Sequence, residues 1–152
     1  HGDWPLARSL RAVFPNDLYP DVLDRSLGLN AIFLRAPSKT VYERDIRHDL
    51  RARIEAFCLD QVRRLIPVLR PRRIIVIGLG TLDLFLATPG QDEQVTKAEV
   101  VEENARKRWL VSKGMIAGQP ASATLHLSGA RIASDDRDRI TRSLRSFITG
   151  ES

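Results

Sequence analysis

The stretch "RRIIVIGLG", residues 72–80, decides how the rest of the chain is read. Two arginines give way to the β-branched run Ile74, Ile75, Val76 and Ile77, which closes on Gly78 and Gly80. β-Branched side chains are stiff at χ1 and pack well on a pleated surface. A strand that is apolar at every position is covered on both faces, as in a parallel sheet between helices. Residues 73–78 are therefore predicted as a buried strand.

Upstream, Ile46, Leu50, Ile54, Phe57, Val62, Leu65 and Leu69 recur at helical spacing, with arginines and acids opposite, until Pro71 stops the pattern. The spacing predicts a helix over 42–69 with that stripe turned to the core. Before it, "LGLNAIFL" (27–34) reads as a buried aliphatic strand with Asn30 inside, so that 27–34, 42–69 and 73–78 form a βαβ unit. Asp3-Trp4-Pro5 is a helix entry, followed by Leu6, Leu10, Val13 and Phe14 at helical spacing up to Pro15. Residues 17–27 hold a second short helical pattern broken by Pro20.

Downstream, "ATPGQDEQ" places an exposed loop at 87–95, before a charged helix that ends near Lys107. "RWLVSKGMIAGQPASATLHLSG" predicts two short strands around Lys113-Gly114, a turn at Gly118-Gln119-Pro120, and a final strand reaching His126. The last helix runs from Ser134 as N-cap to Gly150 past its end, with Ile140, Leu144, Phe147 and Ile148 on one face. The expected fold is α/β: a three-layer αβα arrangement with a mostly parallel central sheet flanked by helices.

At 152 residues with 43% hydrophobic content, residues 1–152 fit one domain with a substantial core. There is no apolar run of membrane-spanning length and no signal-peptide pattern, so a soluble, intracellular, cytoplasmic protein is expected, with no membrane partner. The single cysteine, Cys58, excludes an internal disulfide, a multi-cysteine zinc site and an iron-sulfur cluster held by this chain alone. No metal or cofactor is expected. The net charge of +5, carried mostly by arginine beside four lysines, suits a polyanionic partner and equally a solvated surface.

Ligands of open α/β sheets bind beyond the carboxyl ends of the strands. Three candidate positions lie there. The Gly78-Leu79-Gly80-Thr81 turn follows a strand as in a dinucleotide fingerprint, but Asp83 replaces the third glycine, and a tight turn that lets a helix pack on the strand explains it more economically. Asn30 inside an apolar strand needs partners for its amide. That amide suits the donor and acceptor edge of a nucleobase, or equally a neighbouring loop backbone. His126 at a strand end can stabilise charge developing on a substrate oxygen, or simply be capped by hydrogen bonds. Beside it, Ser128 and Gly129 offer backbone N–H groups to a phosphate, and Arg131 can pair with the same anion. Asp135, Asp136 and Asp138 complement the dipole of the last helix. Cys58, beside Phe57, reads as a packed thiol.

Taken in order, these segments resemble the uracil-DNA glycosylase superfamily. "LGLNAIFLRAPS" is similar to that superfamily's asparagine strand. "LIPVLRPRRIIVIGLGTLDLF" resembles its helix, Arg-Pro turn and glycine-closed strand, and "GMIAGQPASATLHLSGA" its closing hairpin and histidine loop. Roughly residues 20–147 are covered. The resemblance implies a DNA partner carrying uracil or a related damaged base, flipped out of the duplex for hydrolysis of its glycosidic bond. It gives Asn30 the role of holding the base edge and His126 that of stabilising the departing base, while Leu127, Ser128 and Gly129 approach the DNA backbone. The superfamily's water-positioning loop has no counterpart upstream of Asn30: "HGDWPLARSL" resembles the helix that follows it. The loop "HLSGA" also lacks the prolines common in the family. Two alternatives remain, a member of the same fold that binds nucleic acid or a free base without catalysis, and a nucleotide-binding enzyme built on the Gly78–Gly80 turn.

Overall fold

The computed structural model describes residues 5–14, 16–33, 39–87, 99–103, 109–125 and 132–150. Within them the chain runs α1 (Pro5–Val13), α2 (Tyr19–Asp24), α3 (Lys39–Asp45), α4 (His48–Leu69), β1 (Ile74–Ile77), α5 (Leu79–Ala87), β2 (Glu99–Glu103), β3 (Trp109–Ile116), β4 (Gln119–Thr124) and α6 (Ser134–Thr149). Helices and strands pack together as an α/β fold.

The strands form one sheet in the order β1-β4-β3-β2. β1 pairs with β4 in parallel, Ile74 opposite Ala121 and Ile77 opposite Thr124, whereas β4–β3 and β3–β2 are antiparallel. The sheet is therefore mixed, not mostly parallel as expected. The reason lies in the β3–β4 connection. Ile116 faces Gln119 across a two-residue turn, with Ala117 at φ 47° and Gly118 at φ 73°. Both central residues have positive φ, the geometry that matches strand twist in a tight hairpin, and such a connection can join only antiparallel strands. Lys113-Gly114 does not divide β3, which is one continuous strand.

β1 shows why its sequence lacks alternation. Val76 and the half-buried Ile74 pack with Leu59, Val62 and Ile66 of α4 and Leu82 and Phe85 of α5. Ile75 and Ile77 pack instead with Val13 of α1, Ile140 and Leu144 of α6, and Leu110 and Leu125. Successive side chains point to opposite faces of a strand, so each face of the sheet carries its own apolar cluster under its own pair of helices.

Several other expectations are corrected. Residues 27–33 form no strand, so the βαβ unit is not made in that form. The predicted 42–69 helix is two helices, interrupted at Ile46 and Arg47. α4 buries Cys58, Leu59, Val62, Arg63 and Ile66, while Leu50, Phe57, Leu65 and Leu69 of the predicted stripe are exposed. α4 has apolar side chains around most of its circumference, so periodicity alone did not single out its inner face. Residues 99–103, read as part of a charged helix, are an edge strand with irregular register on β3; pairing overrides the helical propensity of glutamate there. The N-cap of α6 is Ala133, without a side-chain cap, rather than Ser134, while Gly150 ends the helix in the left-handed conformation as expected.

Candidate functional site

The carboxyl edge of β1 and β4 is built by register. After Ile77, the Gly78 N–H donates to the Thr124 carbonyl at 2.9 Å, extending the parallel ladder by one residue. Gly78 sits at φ 114°, a conformation that only glycine adopts without strain. The chain then turns directly into α5, and Thr81 N–H closes the turn on the Gly78 carbonyl at 3.0 Å. On the other strand, Leu125 N–H donates to the Leu110 carbonyl at 3.2 Å, and its side chain is buried in the α1–α6 cluster. The backbone is thus tied on both sides up to the residue before His126.

His126, Leu127, Ser128, Gly129 and Arg131 lie outside the described residues, as does His1. Of the candidate site residues, Asn30 alone is described. It is exposed and stands in irregular chain between α2 and α3. What holds that segment is its neighbours: Ala31 packs against the α4–α5 cluster, and Phe33 N–H reaches the buried Cys58 sulfur of α4 at 3.5 Å. Cys58 is the packed thiol its setting suggested, and it also anchors this segment. Ala31 is rooted on the α4–α5 face of the sheet and Leu125 on the α1–α6 face.

The Gly78–Gly80 turn leaves open space at its second glycine. Gly80 is the second residue of α5, and a Cβ added to it meets nothing within 4 Å. Its lack of a side chain serves no contact within the protein. Asp83, in the place of a third glycine, is exposed.

Two arginines that sequence reasoning passed over are structural. Arg63 is buried, donates to the Phe85 carbonyl in the last turn of α5 at 2.6 Å, and lies over the Phe85 ring. Arg73 donates to the Phe147 carbonyl near the end of α6 at 2.5 Å and lies over the Phe147 ring. Each places positive charge where a helix dipole is negative. An arginine whose aromatic partner is distant in sequence leaves no local signal. In α3 the Tyr42 hydroxyl is shielded from water, and desolvation followed by the neighbouring Glu55 carboxylate pushes its pKa up to about 12.

Among the described residues no three His, Cys, Asp or Glu side chains are grouped to hold a metal ion, and no helix is long and apolar enough to cross a membrane. Comparison with family models, with curated proteins and with solved structures finds no match.

Proposed function

We propose that this chain is a uracil-DNA glycosylase-like domain that hydrolyses the N-glycosidic bond of uracil or a related damaged base flipped out of DNA. The observation that carries the reading is the parallel pairing of β1 with β4. It sets the glycine turn of "RRIIVIGLG" beside the end of "ASATL", the two segments that resemble the superfamily's glycine-closed strand and the approach to its histidine loop. A carboxyl edge of this kind is where ligands of α/β proteins bind.

In this reading the Asn30 amide hydrogen-bonds the polar edge of the extruded base. The His126 side chain stabilises negative charge on the departing base, and water attacks the sugar carbon as the glycosidic bond breaks, leaving free base and an abasic sugar. Leu127, Ser128 and Gly129 lie along the DNA backbone, with Arg131 on a phosphate. The excess of basic over acidic residues, a net charge of +5, supplies a general attraction to DNA that weakens with salt.

The test is excision from uracil-containing oligonucleotides by the parent chain, His126→Ala and Asn30→Ala. Base release by the parent that is lost or strongly reduced in both variants supports the reading. Neither excision nor DNA binding by any native form of the protein sinks it. One observation favours a second reading, a base- or nucleic-acid-binding member without catalysis: Asn30 is exposed in irregular chain instead of being fixed in a strand. DNA binding with no base released by any form would select that reading.

A further inference from the structure

α4 carries more apolar surface than the fold uses. At 100° per residue, Leu50, Phe57, Leu65 and Val68 fall within a sector of about 80°, well away from the core-facing Leu59, Val62 and Ile66. Phe57 is 62% exposed and Val68 is 76% exposed. A surface stripe of large apolar side chains along one helix marks an interaction face.

The charges beside the stripe indicate what covers it. Asp60 and Arg64 lie along its margin, joined at 2.8 Å as an i,i+4 pair, with Arg64 largely exposed and Asp60 partly so. A uniformly acidic or basic partner would meet repulsion from one of the two. A second α4 laid antiparallel about a two-fold axis near Gln61 meets attraction from both. In that register Phe57 packs on Leu65 of the second copy, and Asp60 comes within a turn of the second copy's Arg64, each contact occurring twice. A parallel two-fold arrangement would put this margin of the two helices on opposite sides of the seam, so that Asp60 and Arg64 would make no contact with their counterparts.

We propose that the α4 stripe is a self-association surface, and that two copies of the chain pair through antiparallel α4 helices with reciprocal Asp60–Arg64 contacts. A single helix pair is a small interface, so association belongs in the micromolar range.

Sedimentation equilibrium from about 1 to about 200 μM spans that range. The parent chain should show a monomer–dimer equilibrium, which Phe57→Glu and Val68→Glu each shift toward monomer by about tenfold or more. Both positions are exposed, and circular dichroism checks the fold; should Phe57→Glu misfold, Val68→Glu carries the same test. Asp60→Arg alone and Arg64→Asp alone should each weaken the dimer, because each puts like charges across the axis. Mixing these two variants should restore association as a heterodimer, since each then supplies the charge the other needs. A parent chain that stays monomeric throughout, a dimer indifferent to Val68→Glu, or a mixture no stronger than its components would overturn the proposal.

Discussion

Arg63 stacks over Phe85, 5.6 Å from the ring centroid, and donates to the same residue's carbonyl at 2.6 Å, so that one side chain fastens α4 to the C-terminal turn of α5. The guanidinium is buried, and its planar fork serves the carbonyl and the ring at once. Arg63→Met keeps the aliphatic stem but removes the donor and the charge. It should destabilise the fold by about 2–3 kcal/mol in urea unfolding, the range for losing a charged hydrogen bond that leaves a buried carbonyl unmet. Arg63→Lys should recover only part of this, because an ammonium cannot reproduce the stacked, planar geometry. Equal stability of parent and Met variant would show that the contact contributes nothing net.

Gly150 and Gly80 should respond oppositely to alanine. Gly150 has φ 79°, and an added Cβ would stand 2.9 Å from the Arg73 guanidinium, so strain and crowding act together. Gly150→Ala should cost about 1–2 kcal/mol and disturb the Arg73–Phe147 contact. Gly80 lies in α5 with open space around its Cα, so Gly80→Ala should be neutral or stabilise by up to about 1 kcal/mol. Thermal unfolding of the two variants checks both signs. The Gly80 variant also separates roles: ATP or NAD that shifts the parent's melting temperature but not the variant's would support the nucleotide-binding reading.

What the sequence made legible follows from how local each signal was. The run Ile74–Ile77 is apolar on both faces, and it forms the strand whose side chains enter both clusters. α6 shows its inner face through Ile140, Leu144 and Phe147, because polar residues fill the rest of its surface. α4 defeats the same logic, since two apolar stripes compete and only packing against β1 and α5 chooses between them. Residues 99–103 were illegible for a different reason: their strand exists through pairing with β3. At the candidate site, the glycine turn was visible in the chain, but its hydrogen bond to Thr124 joins segments more than forty residues apart. The anchoring of the Asn30 segment by Cys58 is likewise a tertiary fact, and the aliphatic character of 27–33 pointed to a strand instead.

The bidentate contact of Arg145 with Asp17 ties α6 to the chain between α1 and α2 and should be visible as acid sensitivity. Its hydrogen bond is the main cause that lowers the Asp17 pKa from the ordinary value of 3.8. A carboxylate with a depressed folded-state pKa contributes stability that is complete above the unfolded value. That contribution is lost as pH falls below 3.8 and through the folded-state value. Asp17→Asn should flatten this part of the acid limb of a stability profile without altering the profile near neutrality in shape. An unchanged acid limb would show that the pair is not maintained in solution.

Tyr42 makes the opposite prediction at high pH. Its phenol is raised from the ordinary 10.0 to about 12, first by desolvation and then by Glu55, so the folded state holds the proton more tightly than the unfolded chain does. The associated stability is complete below pH 10.0, and it declines as pH rises from there through about 12, where the unfolded chain is ionised before the folded one. Absorbance titration of tyrosinate should show one phenol still protonated near pH 11 in the folded protein, and Tyr42→Phe should remove that late component. The same variant should retain more of its neutral-pH stability than the parent between pH 10 and 12, because no buried phenol remains to be ionised on unfolding. A late component that survives in Tyr42→Phe would remove the basis for linking alkaline stability to Tyr42 and its Glu55 neighbour.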